Sequence, residues 1–295
     1  MPTRDLSRRF LAALVGLVSL LTPVAAVPIV RTIYVTVTDK SGAKVPGLSA
    51  ADFAVKEGGK AVEIIKAEPA TARMHLALMV EDRLTPSADI RQALGDFITR
   101  MRPVAEISLI TVGLSNITIV PYTQSLDLLV AGIRQFSLSG QPAANLTEGL
   151  LEIGREFERQ PADRPVIVAV ALASGASSVS ADEVQGQLRQ SGAGFFALTF
   201  GGAQGAGNTA VGSLGDESWR EQVLGDGTRQ TGGRRINIAA TREASNSLQQ
   251  LADDLMSQYV ITYALPEGTK LDRRLNVSLK PKGLTLRAPT ALRDR

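Results

Sequence analysis

From Met74 onward, short apolar runs alternate with segments whose apolar residues recur every three to four positions, and nothing else in the sequence constrains the fold as tightly. An apolar run of four to eight residues suits a strand buried on both faces, and a stripe at helical spacing suits a helix with one face on a core. Strict alternation of the two predicts βαβ units and a mostly parallel sheet. The buried-strand candidates are residues 75–80, 107–112, 166–173 and 195–200, with 117–121 as a shorter edge strand. Ile90, Leu94, Phe97, Ile98 and Met101 share one helix face, as do Leu146, Leu150, Ile153 and Phe157, and again Ala244, Leu248, Leu251, Ala252 and Leu255. Each stripe is better explained as core than as a cofactor pocket. Aromatic residues make up only 4% of the chain, so this core rests on Leu, Ile, Val and Ala.

The two ends follow a different period. Ile33, Val35 and Val37 alternate with Tyr34, Thr36 and Thr38, as in a half-buried strand. Residues 52–56 and 61–66 flank Glu57-Gly58-Gly59-Lys60 and predict a hairpin. Beyond the last helix stripe, residues 259–264, 275–279 and 284–287 return to period two. The expectation is an α/β domain over 72–256, bracketed by a small β module in which the 30–68 segment packs with the 257–290 segment. Separate docking of each end onto the body is the alternative. Residues 201–233, rich in Gly with Ser, Asn and Thr, show no apolar period and predict a long loop at the strand ends, followed by a short strand at 235–238.

Arg8 and Arg9 precede an uncharged run from Phe10, broken at Pro23 and followed by Val24-Ala25-Ala26. Basic, apolar and small residues in that order predict a secretory signal over 1–26, with an uncleaved inner-membrane anchor as the alternative. Ser7-Arg8-Arg9-Phe10-Leu11 resembles a twin-arginine signal that lacks the usual spacer residue. The chain has no cysteine, which excludes a lipid-modified N-terminal Cys and any disulfide framework. Export to a periplasm or the cell exterior is the expected destination. The formal charge of +3 reflects a basic stretch at 270–295 and not a basic body, and no aromatic residue interleaves those charges. A nucleic-acid partner is therefore not expected, and membrane contact is expected only through an uncleaved N-terminal segment.

The segments Val35-Thr36-Val37-Thr38-Asp39-Lys40-Ser41-Gly42, Val45-Pro46-Gly47-Leu48 and Asp52-Phe53-Ala54-Val55-Lys56-Glu57-Gly58-Gly59 resemble the head of the bacterial exported von Willebrand factor type A (vWA)-related family. Thr231-Gly232-Gly233 and Leu255-Met256-Ser257-Gln258-Tyr259, leading into Tyr263, are similar to its tail. The resemblance covers about residues 31–290 and implies a Rossmann-like vWA domain, a mostly parallel sheet with helices on both faces. It also implies a metal-ion-dependent adhesion site built from D-x-S-x-S after the first strand, a Thr on a second loop and an Asp after the fourth strand. Here the first loop has Glu81, Asp82, Arg83 and Thr85; the second places Ala144 at the Thr position, next to Asn145; the third, Ala173-Ser174-Gly175-Ala176-Ser177, has Ser174 in place of the Asp. Arg83 puts a fixed positive charge where the dication would sit, paired with Glu81, Asp82 or Glu148. No cofactor is expected; were a weak Mg²⁺ or Ca²⁺ to bind, Glu81, Asp82, Thr85 and Ser174 would be its ligands.

Enzymatic patterns are thin. The single His, His75, falls inside a strand that should be largely buried, no G-x-S-x-G occurs, and nothing marks a Ser-Lys dyad. Asp253-Asp254 falls on a helix, where neighbours diverge, and reads as a solvated face. The glycines at 201–207 have neither the spacing nor the lysine of a phosphate cradle. The expected function is non-enzymatic recognition of a protein or cell-surface partner through the strand-end face, carried by Glu81, Asp82, Arg83, Thr85, Ala144, Asn145, Ser174 and Ser177. A metal-dependent adhesion module and a structural or assembly scaffold are the alternatives.

Overall fold

The computed structural model describes residues 29–84, 87–113, 115–136, 145–175, 177–201, 214–265 and 272–293. Residues 1–26 (expected as a signal), Thr85, Ala144 and residues 202–213 lie outside them. Three strands open the described chain: β1 (Ile29–Thr38), β2 (Phe53–Glu57) and β3 (Lys60–Pro69). The middle runs β4 (Met74–Glu81), α1 (Ala88–Met101), β5 (Ala105–Val112), β6 (Asn116–Thr123), α2 (Leu126–Gln135), α3 (Leu146–Arg159), β7 (Pro165–Leu172), α4 (Ala181–Ser191) and β8 (Gly194–Phe200). It continues through α5 (Leu214–Gln222), a π-helical turn (Val223–Gly227), α6 (Thr228–Gln230), β9 (Arg235–Ile238) and α7 (Ala244–Met256). Strands β10 (Gln258–Leu265), β11 (Leu275–Leu279) and β12 (Thr285–Arg287) close it.

The middle strands form one sheet in the order β6-β5-β4-β7-β8-β9, parallel throughout except for β6. Counted within that sheet the order is 3-2-1-4-5-6, the doubly wound arrangement, and the direction of winding reverses between β4 and β7. Period two along β4 divides its side chains between two cores. Leu76, Leu78 and Val80 pack with α1 and α7, while Ala77 and Met79 pack with α3 and α4. The stretch expected as a long loop is instead helical over 214–230: Val223 and Leu224 are fully buried against the α3–α4 face, with Trp219 beside them. Three apolar side chains among glycines were too few to show a period, yet tertiary burial is enough to hold the turns. Helix α4 also carried a weak stripe, but its ends are well signalled: Ser180 Oγ accepts from Glu183 N–H, and Gly192 adopts the left-handed conformation after the last turn.

The strands of the two chain ends interleave in a second, antiparallel sheet ordered β11-β2-β3-β10-β1-β12. Strand β10, from the C-terminal end, lies between β3 and β1. Ile33, Val35, Val37, Phe53, Val55, Tyr259, Ile261 and Tyr263 make its core. Tyr263 Oη donates to the buried Glu57 Oε2 at 2.8 Å, and Arg31 lies 3.8 Å from the same oxygen. Burial, and after it the Glu57 bond, hold the Tyr263 phenol above its ordinary pKa.

Several contacts join the sheets, among them Tyr34 Oη donating to Asp163 O at 3.0 Å. Arg164, 3% exposed, donates to Leu255 O (2.6 Å), Gln258 Oε1 (2.8 Å) and Ala72 O (3.2 Å), and its guanidinium lies 5.4 Å from the Tyr34 ring centre. Burial pulls its pKa down to about 10, which leaves it charged at neutral pH. Asp254, expected to be solvated, is buried between Arg234 (3.1 Å) and Arg287, so it ties α7 to both β9's approach and β12. Thr231 bridges to Pro289, and Thr290 N–H donates to Gln230 O. Arg164→Ala leaves several buried acceptors without a donor and is expected to cost about 2–3 kcal/mol, read as a lower urea midpoint.

Candidate functional site

The doubly wound order places a crevice at the carboxyl ends of β4 and β7, where α/β sheets take their ligands. The last residue of β4 is Glu81, fully buried. Each of its carboxylate oxygens is engaged. Oε2 accepts from Leu172 N–H at 2.8 Å, at the end of β7, and from Arg220 Nη2 at 2.7 Å. Oε1 accepts from Arg83 Nε at 2.9 Å and Nη2 at 2.5 Å. Arg220, on α5, is itself fully buried and also donates to Leu172 O at 2.7 Å. Its guanidinium lies flat on the turn after β7: a Cβ at Gly175 would meet Nη1 at 2.8 Å, so only glycine leaves room there. Arg83, with 29% of its side chain exposed, forms the solvent-facing side of the cluster.

A second polar cluster closes the neighbouring wall at the start of α3. Thr147 Oγ1 is 2.8 Å from both Glu148 Oε2 and Ser177 Oγ, and Ser177 Oγ donates to Val179 O at 2.6 Å. Glu148 Oε1 accepts from Ser178 N–H at 2.7 Å and from Ser178 Oγ. Partial burial works against the Glu148 carboxylate, but the Ser178 and Thr147 hydrogen bonds outweigh it and hold its pKa below the usual range. Asp82 is buried beside Gly113, where a Cβ would meet its Oδ2 at 2.6 Å.

Of the residues expected on this face, the structure brings Glu81 and Arg83 into direct contact; Arg83 pairs with Glu81. Ser177 joins the Thr147 cluster, Ser174 is exposed on the turn after β7, and Asn145 precedes α3, its N–H donating to Gly113 O at 3.1 Å. Thr85 and Ala144 lie outside the described residues. Thr147 and Arg220 are the residues that reading the sequence missed. Thr147 was visible as a polar position among the α3 apolar stripe. Arg220 carried no sign, being one arginine in a polar, glycine-rich stretch.

Mg²⁺ or Ca²⁺ requires six or more oxygen ligands around it, whereas both oxygens of Glu81 are turned to guanidinium and amide N–H groups. Two fixed positive charges, Arg83 and Arg220, already occupy the crevice. Among the described residues there is also no group of three or more His, Asp or Glu placed to hold a metal. His75 lies at the other end of β4. It stacks on Tyr122 with ring centres 3.5 Å apart, and burial lowers its pKa despite Glu106 and Glu156 nearby.

The sequence matches no family profile and no curated protein. Solved structures superpose on it in part. A von Willebrand factor type A protein from Catenulispora acidiphila superposes with a TM-score of 0.48 at 12% identity, covering 93% of this chain and 76% of that one. An aerotolerance-related membrane protein from Bacteroides fragilis gives 0.43 at 12%, covering 61% of this chain and 98% of that one. Proximal thread matrix protein 1 of the mussel byssus gives 0.47 at 11%, covering 63% and 48%. The likeness extends to fold alone. Among the described residues no helix is long and apolar enough to cross a membrane.

Proposed function

We propose that this chain is a non-enzymatic binding module that takes a protein or cell-surface partner on the strand-end face of its vWA-like domain, without a bridging cation. The observation that carries the reading is the saturation of Glu81: a fully buried carboxylate at the switch point whose two oxygens are taken by Arg83, Arg220 and Leu172 N–H. Contact with the partner then falls to a rim of the half-buried Arg83 and Asn145 and the exposed Ser174 and Ser178. Asp82 and Ser177, both buried, shape that rim from beneath. The module acts outside the cytoplasm, in a periplasm or at the cell surface, as the Arg8-Arg9 signal pattern implies. The antiparallel sheet made by residues 30–68 and 257–290 serves as its base.

Thermal unfolding in EDTA and then in millimolar Mg²⁺, Mn²⁺ or Ca²⁺ tests the cation-independent part. Coincident curves are expected. A site filled at 100 times its Kd would add roughly 2.7 kcal/mol, a rise of at least a few degrees, and such a rise abolished by Glu81→Ala would overturn the reading. Affinity capture from an envelope extract in EDTA tests the face: a partner retained by the wild type and lost with Arg83→Glu supports it, and retention by the variant contradicts it.

A further inference from the structure

Among the described residues, one edge of β1 is left open over half its length. On one side β10 accompanies it from Ile29 to Thr36, but on the other β12 meets it only from Thr36 to Thr38. Backbone groups in a strand point alternately to its two edges. Val37 N–H points to the β10 side, donating to Ser257 O at 3.3 Å, and the same parity sends Arg31, Ile33 and Val35 there. The N–H and C=O groups of Val30, Thr32 and Tyr34 therefore face the side that β12 does not reach. Val30 is 48% exposed and Thr32 is exposed as well. Such an edge is a template for a further strand.

A cleft of about 260 Å³ runs beside that edge, between the two sheets. Its far walls are the start of β7, the C-terminal end of α4 and the tail after β12, which leaves β1 to bridge Thr231 through Pro289. This size is near the lower end for binding pockets and suits a single extended segment. The charged residues lining it are Arg31, Arg164, Arg189 and Arg293 against Asp163, a positive balance, with Arg31 turned to Glu57. Arg164 is occupied by its internal bonds, whereas Arg293 is exposed and Arg189 has Nη1 on Gln230 Oε1 at 3.0 Å.

We propose that residues 30–34 of β1 form a strand-acceptor site for an extended peptide segment bearing an acidic side chain. The segment joins the antiparallel sheet outside β1, and its carboxylate lies against the Arg189–Arg293 wall. Backbone pairing supplies the affinity and the arginines supply the selectivity. The cleft sits at the amino ends of β7 and β8, the opposite end of the sheet from Glu81, so this site stands or falls independently of the strand-end face.

The test is amide hydrogen exchange of the purified protein with an acetylated, amidated Thr-Val-Glu-Val-Thr peptide and its lysine counterpart at millimolar concentration. With the glutamate peptide, exchange at Val30, Thr32 and Tyr34 is expected to slow at least about tenfold, saturably. The lysine peptide should bind roughly tenfold more weakly, and Arg293→Glu, a surface change, should invert the preference. Thr32→Pro removes an N–H that no ladder among the described residues uses and is expected to abolish protection while the thermal transition stays cooperative. Unchanged exchange with the glutamate peptide, or equal binding of both peptides, overturns the proposal. Protection that grows with protein concentration without peptide also overturns it, assigning the edge to a second copy of this chain.

Discussion

Arg220→Ala is expected to lower stability by about 3–5 kcal/mol, the cost of leaving one member of a buried ion pair without the other. Glu81 would keep Leu172 N–H and Arg83, but Arg83 is partly exposed and its attraction is screened. Leu172 O would lose its donor as well. The measurement is a denaturant titration followed through the Trp219 fluorescence, adjacent to the substitution. Arg220→Met combined with Glu81→Leu removes both charges together and is expected to recover most of the loss, because a well-packed apolar pair is often as stable as a buried salt bridge. Divalent ions supply the functional control. If Arg220 stands in for a cation, millimolar Mg²⁺ or Ca²⁺ should restore part of the stability of Arg220→Ala while leaving the wild type unmoved. No rescue, with a large loss all the same, would make Arg220 a structural strut and nothing more.

How far this was readable from the sequence differs from element to element. Strand β4 and helix α1 announce themselves because both faces, or one full stripe, are apolar over several residues. The interleaving of β10 between β3 and β1 was expected only as a joining of the two ends, since period two tells which face of a strand is buried and not which neighbour it takes. Helices α5 and α6 were hidden by composition: glycines and polar residues hold helical turns there only because Val223 and Leu224 are buried by α4. Within the site, Glu81 and Arg83 are two residues apart and their pairing was foreseeable. Arg220 reaches Glu81 across 139 positions, a distance over which one charged residue gives no sign of its partner. Asp254 failed for the same reason, as its partners Arg234 and Arg287 lie on other elements.

The Thr231-Gly232-Gly233 segment shows what a non-catalytic glycine pair can be for, and Gly233→Ala is expected to be among the most damaging single substitutions in the chain. A Cβ at Gly233 would stand 1.8 Å from Phe195 O, a backbone atom of strand β8, next to the sheet's edge strand β9. Side chains can turn away; that carbonyl cannot. Gly233 N–H is bonded to Thr228 O at 2.8 Å, and Arg234 O accepts from Ala197 N–H at 2.9 Å, so the segment is held on both sides of the clash. Thr231 Oγ1 accepts from Phe195 N–H at 3.0 Å, and Gly232, at φ 77°, lies so near the tail that a Cβ would be 2.7 Å from Pro289 N. The motif thus lets three segments, β8, the α6 turn and the tail after β12, meet backbone to backbone. Relieving the clash means opening that junction, and the expected loss is about 4 kcal/mol or more, beyond ordinary overpacking. Gly95→Ala is the control: nothing lies within 4 Å of its Cβ position in the middle of α1, and alanine there should add about 0.5–1 kcal/mol. Opposite signs for the two glycines, measured by the same urea titration, would tie the motif to close approach. A mild effect at Gly233 would mean that the tail and β8 are not coupled through it.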